Sequence, residues 1–406
     1  MPLPRRRFLG YLGAAGVGAA AGATGVRLAT DAASSDDPSA GAIAFHGSHQ
    51  AGIATPRQHH ALFATVDVAD AVTEVELLAL LRFWTEAAAR MTTGTLAADP
   101  SDDPLDVPWD TGEAVDLGPN RLTLTFGVGP ALFDPAGDRF GWAAHRPDDL
   151  RELPAFETDH LDPAGSGGDL CIQACADDEQ VAFHAVRELL RLGNGIVTLR
   201  WSQAGFLPRV PEGASPRNLL GFRDGTRNIR GDDAAALDRF VWVGTEGPAW
   251  LRGGTYLVAR RIDIRTDEWD ASSLALQESV IGRSKQTGAP RTGRTEHDPP
   301  DLQAVDGDGV PMIAPNAHVR LSAPGSNGGT RILRRSYSFA DPTTGGLGAG
   351  LLFLSYQRHP NQFVTIQRRL AGMDALNRYT RHTGSALFAM FPGVESGGAL
   401  GRDLAG

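Results

Sequence analysis

Residues 168–193 read GDLCIQACADDEQVAFHAVRELLRLG. An apolar run of strand length meets an acidic turn, and a stretch with apolar residues at helical spacing continues until Gly193 stops it. Residues 350–374 keep the same cadence. Gly350-Leu351-Leu352 opens a strand that leads into a helix carrying Phe363 and Arg368, as Gly168-Asp169-Leu170 leads into one carrying Phe183 and Arg187. Such internal similarity is compatible with duplication of one module. The expectation is an α+β chain of two tandem ferredoxin-like domains whose antiparallel sheets pack together, an arrangement of the dimeric α/β-barrel type.

Working outward from these two stretches fills both units, 43–215 and 216–400. HHALFATVDV (59–68), RLTLTFGVG (121–129) and GIVTLRWSQAGFL (195–207) predict strands, and TEVELLALLRFWTEAAARM (73–91) predicts an amphipathic helix. In the second unit GGTYLVARRIDI (253–264), ILRRSYSFA (332–340) and GLLFLSYQR (350–358) predict strands. DEWDASSLALQESVIGR (267–283) and NQFVTIQRRLAGMDALNRYT (361–380) predict helices.

Hydrophobic content of 42% with 21% charged residues places the 406-residue chain among globular proteins. The net charge of −10 argues against a nucleic-acid partner, which needs a basic surface. At the N-terminus Arg5-Arg6-Arg7-Phe8-Leu9 precedes a weakly apolar, small-residue stretch to Val26. This reads as a signal peptide at 1–33 rather than a membrane span, and its paired arginines resemble the twin-arginine export signal. Cleavage is expected between Ala29 and Ala33, and 34–42 reads as a disordered leader. The protein is therefore expected to meet the twin-arginine machinery and to end in the periplasm, the cell envelope or the medium. Cys171 and Cys175, four apart on a strand, would lie roughly 13 Å apart on one face, too far for a disulfide. They read as buried apolar residues. Neither belongs to a Cys-x-x-Cys-His run, so covalent haem attachment is excluded.

Three further stretches stand apart from core patterning: Gly221-Phe222-Arg223-Asp224-Gly225-Thr226-Arg227-Asn228, Asn316-Ala317-His318-Val319-Arg320, and Arg331-Ile332-Leu333-Arg334-Arg335-Ser336-Tyr337-Ser338. Singly, an Asp-Gly is most often a turn, a lone His is structural, and strand arginines face solvent. Together and in this order they resemble the dye-decolourising peroxidase family. Its G-x-x-D-G matches Gly221–Gly225, its Ala-His-Ile-Arg matches Ala317–Arg320, and its Leu-Arg-Arg-Gly-Tyr matches Leu333–Tyr337. Residues 45–53 (FHGSHQAGI), 253–258, 282–285 and 350–353 add matches along nearly the whole chain, and with the export signal they point to the exported, deferrochelatase-like branch.

The resemblance implies a non-covalent haem b in the C-terminal unit, with His318 as the axial ligand of the iron. Asp374 is the expected carboxylate on the other imidazole nitrogen. Asp224 is implied as the acid/base that moves the peroxide proton, with activity toward acid pH. Arg334 is implied as the fixed positive charge, because strand alternation sends only one of Arg334 and Arg335 into the pocket. Leu351 and Phe353 share a strand face and would wall the distal side. Gly225, Thr226 and Arg227 would pass the haem edge, and Arg320 is the expected propionate partner. Hydrogen peroxide and small aromatic donors are the implied substrates, and the reading leaves room for a homo-oligomer. Trp201, Trp242, Trp250, Trp269, Tyr256 and Tyr337 are candidates for a surface electron relay, although core is their commoner role. The alternative reading is an envelope haem-binding protein of the deferrochelatase type that handles haem iron.

Three departures stand out. Ser336 replaces the usual Gly, His46 a common Tyr, and Ala323-Pro324-Gly325 an Asn-Pro-Arg. Of the remaining histidines, His49 and the pair His59-His60 are expected in core or surface roles rather than on a metal.

Overall fold

The strand-helix unit quoted above is built as β3 and α2 of an antiparallel module. In chain order this module holds β1 (His60–Val68), α1 (Glu74–Met91), β2 (Thr123–Val128), β3 (Leu170–Ala176), α2 (Glu179–Leu192) and β4 (Val197–Phe206). The sheet order β2-β3-β1-β4, with a helix after its first and third strands, is ferredoxin-like. Local chemistry starts both helices. Thr73 and Glu76 cap α1 reciprocally, and the Asp178 carboxylate accepts from the amides of Gln180 and Val181 at the start of α2.

The second half follows with α3 (Ala234–Phe240), β5 (Thr255–Ile264), α4 (Thr266–Asp270), α5 (Leu274–Ile281), α6 (His318–Ser322), β6 (Leu333–Arg334), β7 (Tyr337–Thr343), β8 (Gly346–Gln357), α7 (Pro360–Met373) and β9 (Thr380–Met390). Its order β9-β5-β8-β7 repeats that of the first half, with α7 in the place of α2. A computed structural model describes residues 41–404 apart from 100–102, 212 and 344–345. The expected signal at 1–33, and the leader at 34–42 except its last two residues, lie outside the described residues. Among the described residues no helix is long and apolar enough to cross a membrane.

The two sheets do more than pack together. β4 meets β7 at Phe206–Ser338, β2 meets β9 at Gly127–Met390 and Val128–Ala389, and β5 pairs with β8, so eight strands close into one ring. Each seam carries a glycine where the halves approach. A β-carbon on Gly205 would lie 2.6 Å from Tyr337 Cβ, and one on Gly127 would lie 2.5 Å from Met390 Sδ. Closure leaves the ring without an open edge. Phe63, Cys171, Leu257, Leu352, Leu354 and Phe388 fill the interior, while Leu124, Phe126 and Ile172 pack outward in the cluster that includes Trp84 of α1 and Leu189 of α2. Cys171 and Cys175 are free and buried, as expected.

Three elements differ from expectation, and the strand expected over 332–340 is kept. The helix expected over 267–283 is two helices, because Ser273 leaves helical geometry and its hydroxyl caps α5. The helix expected over 361–380 stops at Met373, where Asp374 turns to ψ 122° and caps a 3-10 turn, Ala375–Arg378. β9 was not expected: a register shift between Gly384 and His382 breaks the alternation that would have marked it. β6 and β7 are one strand in register, since Arg334 pairs with Ser355 and Tyr337 with Leu352, and Arg335 N still donates to Leu354 O at 2.8 Å.

Candidate active site

Outside the ring, between the outer face of the C-terminal sheet and the layer containing α6 and α7, lies a cavity of about 560 Å³. Of the expected site residues, Asp224, Gly225, Thr226, Arg227, His318, Arg334, Leu351, Phe353 and Asp374 line it. Residues from five separate stretches of sequence thus converge.

His318 begins α6, a five-residue helix, and Ala317 ahead of it is fully buried. Its Nδ1 meets the Asp374 carboxylate at 2.6 Å, and Asp374 is itself buried at the end of α7. The Asp374 Oδ1 accepts the Leu376 amide at 2.9 Å, which fixes the carboxylate toward the imidazole. Burial pulls the His318 pKa down, but the neighbouring Asp374 charge and its hydrogen bond outweigh this and leave it raised. With Nδ1 occupied, Nε2 is the nitrogen left for a ligand.

On the sheet side Arg334 Nη1 donates to Asp224 Oδ1 at 2.8 Å. Burial pushes the Asp224 carboxyl up, but the positive charges of Arg334 and Arg57 and the Arg334 hydrogen bond override it and hold the group below its ordinary value. The uninterrupted register of β6 and β7 explains the choice between the two arginines. Arg334 faces the cavity, whereas Arg335 is buried on the other side and donates to Thr55 O and Gln58 Oε1. Asp224 sits between two glycines with positive φ, Gly221 at 84° and Gly225 at 92°, and its amide donates to Pro216 O at 2.8 Å.

Asn228, missed in the sequence, ties this loop to the sheet. Its Oδ1 accepts the Arg334 amide at 2.9 Å and its Nδ2 donates to Arg334 O at 2.8 Å. The three-residue spacing past Gly225 gave no signal for such a bridge. Arg260 and His382 were missed as well, and both line the cavity on the neighbouring strands. Arg260 pairs with Asp159, and burial holds the His382 imidazole down at about 4.

Arg320 is a correction. It does not line the cavity: Nε and both terminal nitrogens donate to the carbonyls of Leu302, Ile313 and Ala314. Two positions after His318 on a helix is not the same face, so the side chain turns away from His318 and the cavity. The six aromatic relay candidates are all buried, none more than 8% exposed, which matches a core role and gives no surface station. His49 stacks on Trp242 at 3.9 Å and bonds Gly253 O. Away from the cavity, Asp110, His184 and Glu188 form a buried cluster. Its carboxylates are already taken by the amides of Ala97, Gly112 and Thr111 and by Arg191, as expected of a structural ion network.

The lining fits the haem that the sequence resemblance implies. One imidazole with a tethered Nδ1 stands in a cavity walled by Ile262, Ile264, Leu351, Phe353, Ile366 and Leu370. Arg223, Arg227, Arg283 and Arg331 supply cations for acidic substituents.

Comparison with known proteins agrees with this geometry. Residues 50–207 match the family model "Dyp-type peroxidase, N-terminal" and residues 215–395 match "Dyp-type peroxidase, C-terminal". A deferrochelatase of Escherichia coli is 38% identical over 363 residues, covering 86% of this chain and 84% of that protein. Ferric DtpA from Streptomyces lividans superposes with a TM-score of 0.83 at 40% identity, over 92% of this chain and 100% of that one. A DyP-type peroxidase from Cellulomonas bogoriensis gives 0.81 at 39% identity, over 90% and 99%. With both halves matched and the cavity holding a histidine tethered to a carboxylate, the chain belongs to the Dyp-type peroxidase family and is a haem-dependent peroxidase.

Proposed function

We propose that this peroxidase reduces hydrogen peroxide with Asp224 as the proton carrier, Arg334 as the fixed charge and His318 as the axial ligand, and oxidises dye-like or phenolic donors. The observation that carries this reading is the single cavity shared by the Asp224–Arg334 pair and the Asp374-tethered His318. Haem, when bound, supplies the redox chemistry that accepts the oxidising power of peroxide and passes it to donors. The chain's own residues do the rest. The depressed pKa keeps Asp224 charged in mildly acidic solution, so its carboxylate takes a proton from one peroxide oxygen and returns it to the departing one. Arg334 orients that carboxylate and offsets negative charge on the oxygen. Leu351 and Phe353 exclude water, and Gly225, Thr226 and Arg227 border the cavity.

Asp224→Asn is expected to lower the rate of reaction with peroxide by ~10²–10⁴-fold in stopped-flow mixing while the Soret band remains. An unchanged rate removes Asp224 from the role. His318→Ala is expected to lose the normal haem spectrum, and its retention overturns the ligand assignment.

A second reading rests on the name of the 38% identical relative: handling of haem iron, with peroxide reduction secondary. Release of iron-free porphyrin by purified protein, with no fast peroxide reaction, favours it. The Arg5-Arg6-Arg7-Phe8-Leu9 run supports twin-arginine export to the periplasm, envelope or medium. Replacing Arg5 and Arg6 by Lys is expected to retain the protein in the cytoplasm, and continued export points to an ordinary signal.

A further inference from the structure

The distal carboxylate has a second cation for which neither half's motif accounts. Arg57 belongs to the segment before β1, in the N-terminal half, yet its guanidinium reaches the G-x-x-D-G loop. A β-carbon placed on Gly225 would lie 3.3 Å from Arg57 Nη2 and 3.9 Å from Cζ. Among the described residues Arg57 makes no hydrogen bond and no ion pair, and the Oδ2 oxygen of Asp224 accepts no hydrogen bond, while Oδ1 is held by Arg334. Its position is built rather than accidental. The residues on either side of it are gripped from the sheet: Arg335 donates to Thr55 O and to Gln58 Oε1, and Gln58 Nε2 donates to Arg121 O at 2.7 Å. Thr55 is further pinned by the Gly52 amide at 2.7 Å. Adjacent arginines of one strand therefore do complementary work. Arg334 holds Asp224 directly, and Arg335 holds the segment that presents Arg57 to it.

We propose that Arg57 is a positioning residue for Asp224: it supplies the second positive charge on the carboxylate and so sets the acid limit of peroxide reduction. This rests on Asp224 being the proton carrier. The charged groups facing Asp224 are Arg334 from β6, Arg57 from the N-terminal segment and His318 from α6. Those facing Arg57 are Asp224, Arg334 and Arg335, together with the neutral phenol of Tyr337. Of these, only Arg57 comes from the N-terminal half, so the distal site is complete only when the two halves have closed on each other.

The test is the pH dependence of the peroxide reaction in the haem-loaded protein, for the wild type and for Arg57→Met, Arg57→Lys and Asp224→Asn. Removing an opposite charge that faces a buried carboxylate without pairing to it is worth on the order of one pKa unit. Arg57→Met is therefore expected to move the acid limb up by about one pH unit, with the rate well above the limb little changed, and Arg57→Lys to restore it. Infrared difference spectra between acid and neutral pH, with the Asp224 band identified by its loss in Asp224→Asn, are expected to show the same upward displacement. An acid limb and carboxyl band left in place by Arg57→Met overturn the proposal. So does a limb that moves equally in Arg57→Met and Arg57→Lys, since that reports disturbed packing. If Asp224→Asn keeps the wild-type limb, the failure lies instead in the assignment of Asp224.

Discussion

The two carboxylates of the cavity do different work because their neighbours differ. Asp374 receives the imidazole Nδ1 and a backbone amide, which fixes the ring and sharpens Nε2 as a donor to metal. Asp374→Asn is expected to cost ~10–100-fold in haem affinity, read as faster haem loss to apomyoglobin. Unchanged retention would show that the carboxylate only caps the following turn. Asp224 instead faces guanidinium groups, and its folded pKa is depressed. Its contribution to stability is therefore present above the unfolded carboxylate value, about 4, and is lost as pH falls through the lower folded value. The acid limb of peroxide reduction is expected below the usual carboxylate range in a pH–rate profile, and to vanish in Asp224→Asn. Asp224 was legible in the sequence because it sits in the short motif Gly221–Gly225, and Asp374 was expected only from what the family resemblance implies for the late helix. Arg57, Asn228, Arg260 and His382 were not legible, because the groups they face lie more than a hundred positions away and no local pattern marks them.

At the scale of elements, Arg320 shows how a helix redirects a side chain. Residues 302–314 form a hairpin, with Asp306 N donating to Val310 O and Met312 N to Ala304 O. Arg320 clamps both its feet by donating to the Leu302, Ile313 and Ala314 carbonyls, and Leu302 lines the cavity. Arg320→Ala leaves these carbonyls without a charged donor, at a cost of about 2–3 kcal/mol. Limited proteolysis within 302–314 is expected to quicken and haem loss to accelerate, with the axial-ligand spectrum unchanged. A hairpin as resistant as in the wild type would show that other contacts hold it. The adjacent strands give the opposite lesson. β6 and β7 keep one register through Arg335 and Ser336, so alternation assigns Arg334 and Arg335 to opposite faces. Where a register shifts, as between Gly384 and His382 on β9, alternation misleads and the strand goes unseen.

For the whole molecule, the deciding feature is closure of two ferredoxin-like sheets into one ring. The seams are short and depend on glycine. Gly205→Val would drive a side chain into Tyr337 and Ser338 across the β4–β7 seam, and such overpacking costs about 1–3 kcal/mol. The expected result is a lower thermal midpoint, with the loss shared by both halves in one transition. An unaltered midpoint would mean that the seam relaxes freely. The N-terminal half matters to the chemistry through this closure, since it carries Arg57 to Asp224. The sequence by itself pointed to the repeated α+β cadence and carried the motifs by which it resembles its family, because strand and helix periodicity and short motifs are local properties. Only the tertiary structure decided which residues form the seams between the sheets, that Arg320 serves the hairpin, and that Arg57 serves the distal carboxylate. Those depend on which distant surfaces meet, and burial and backbone register across the ring, not neighbouring residues, determine that.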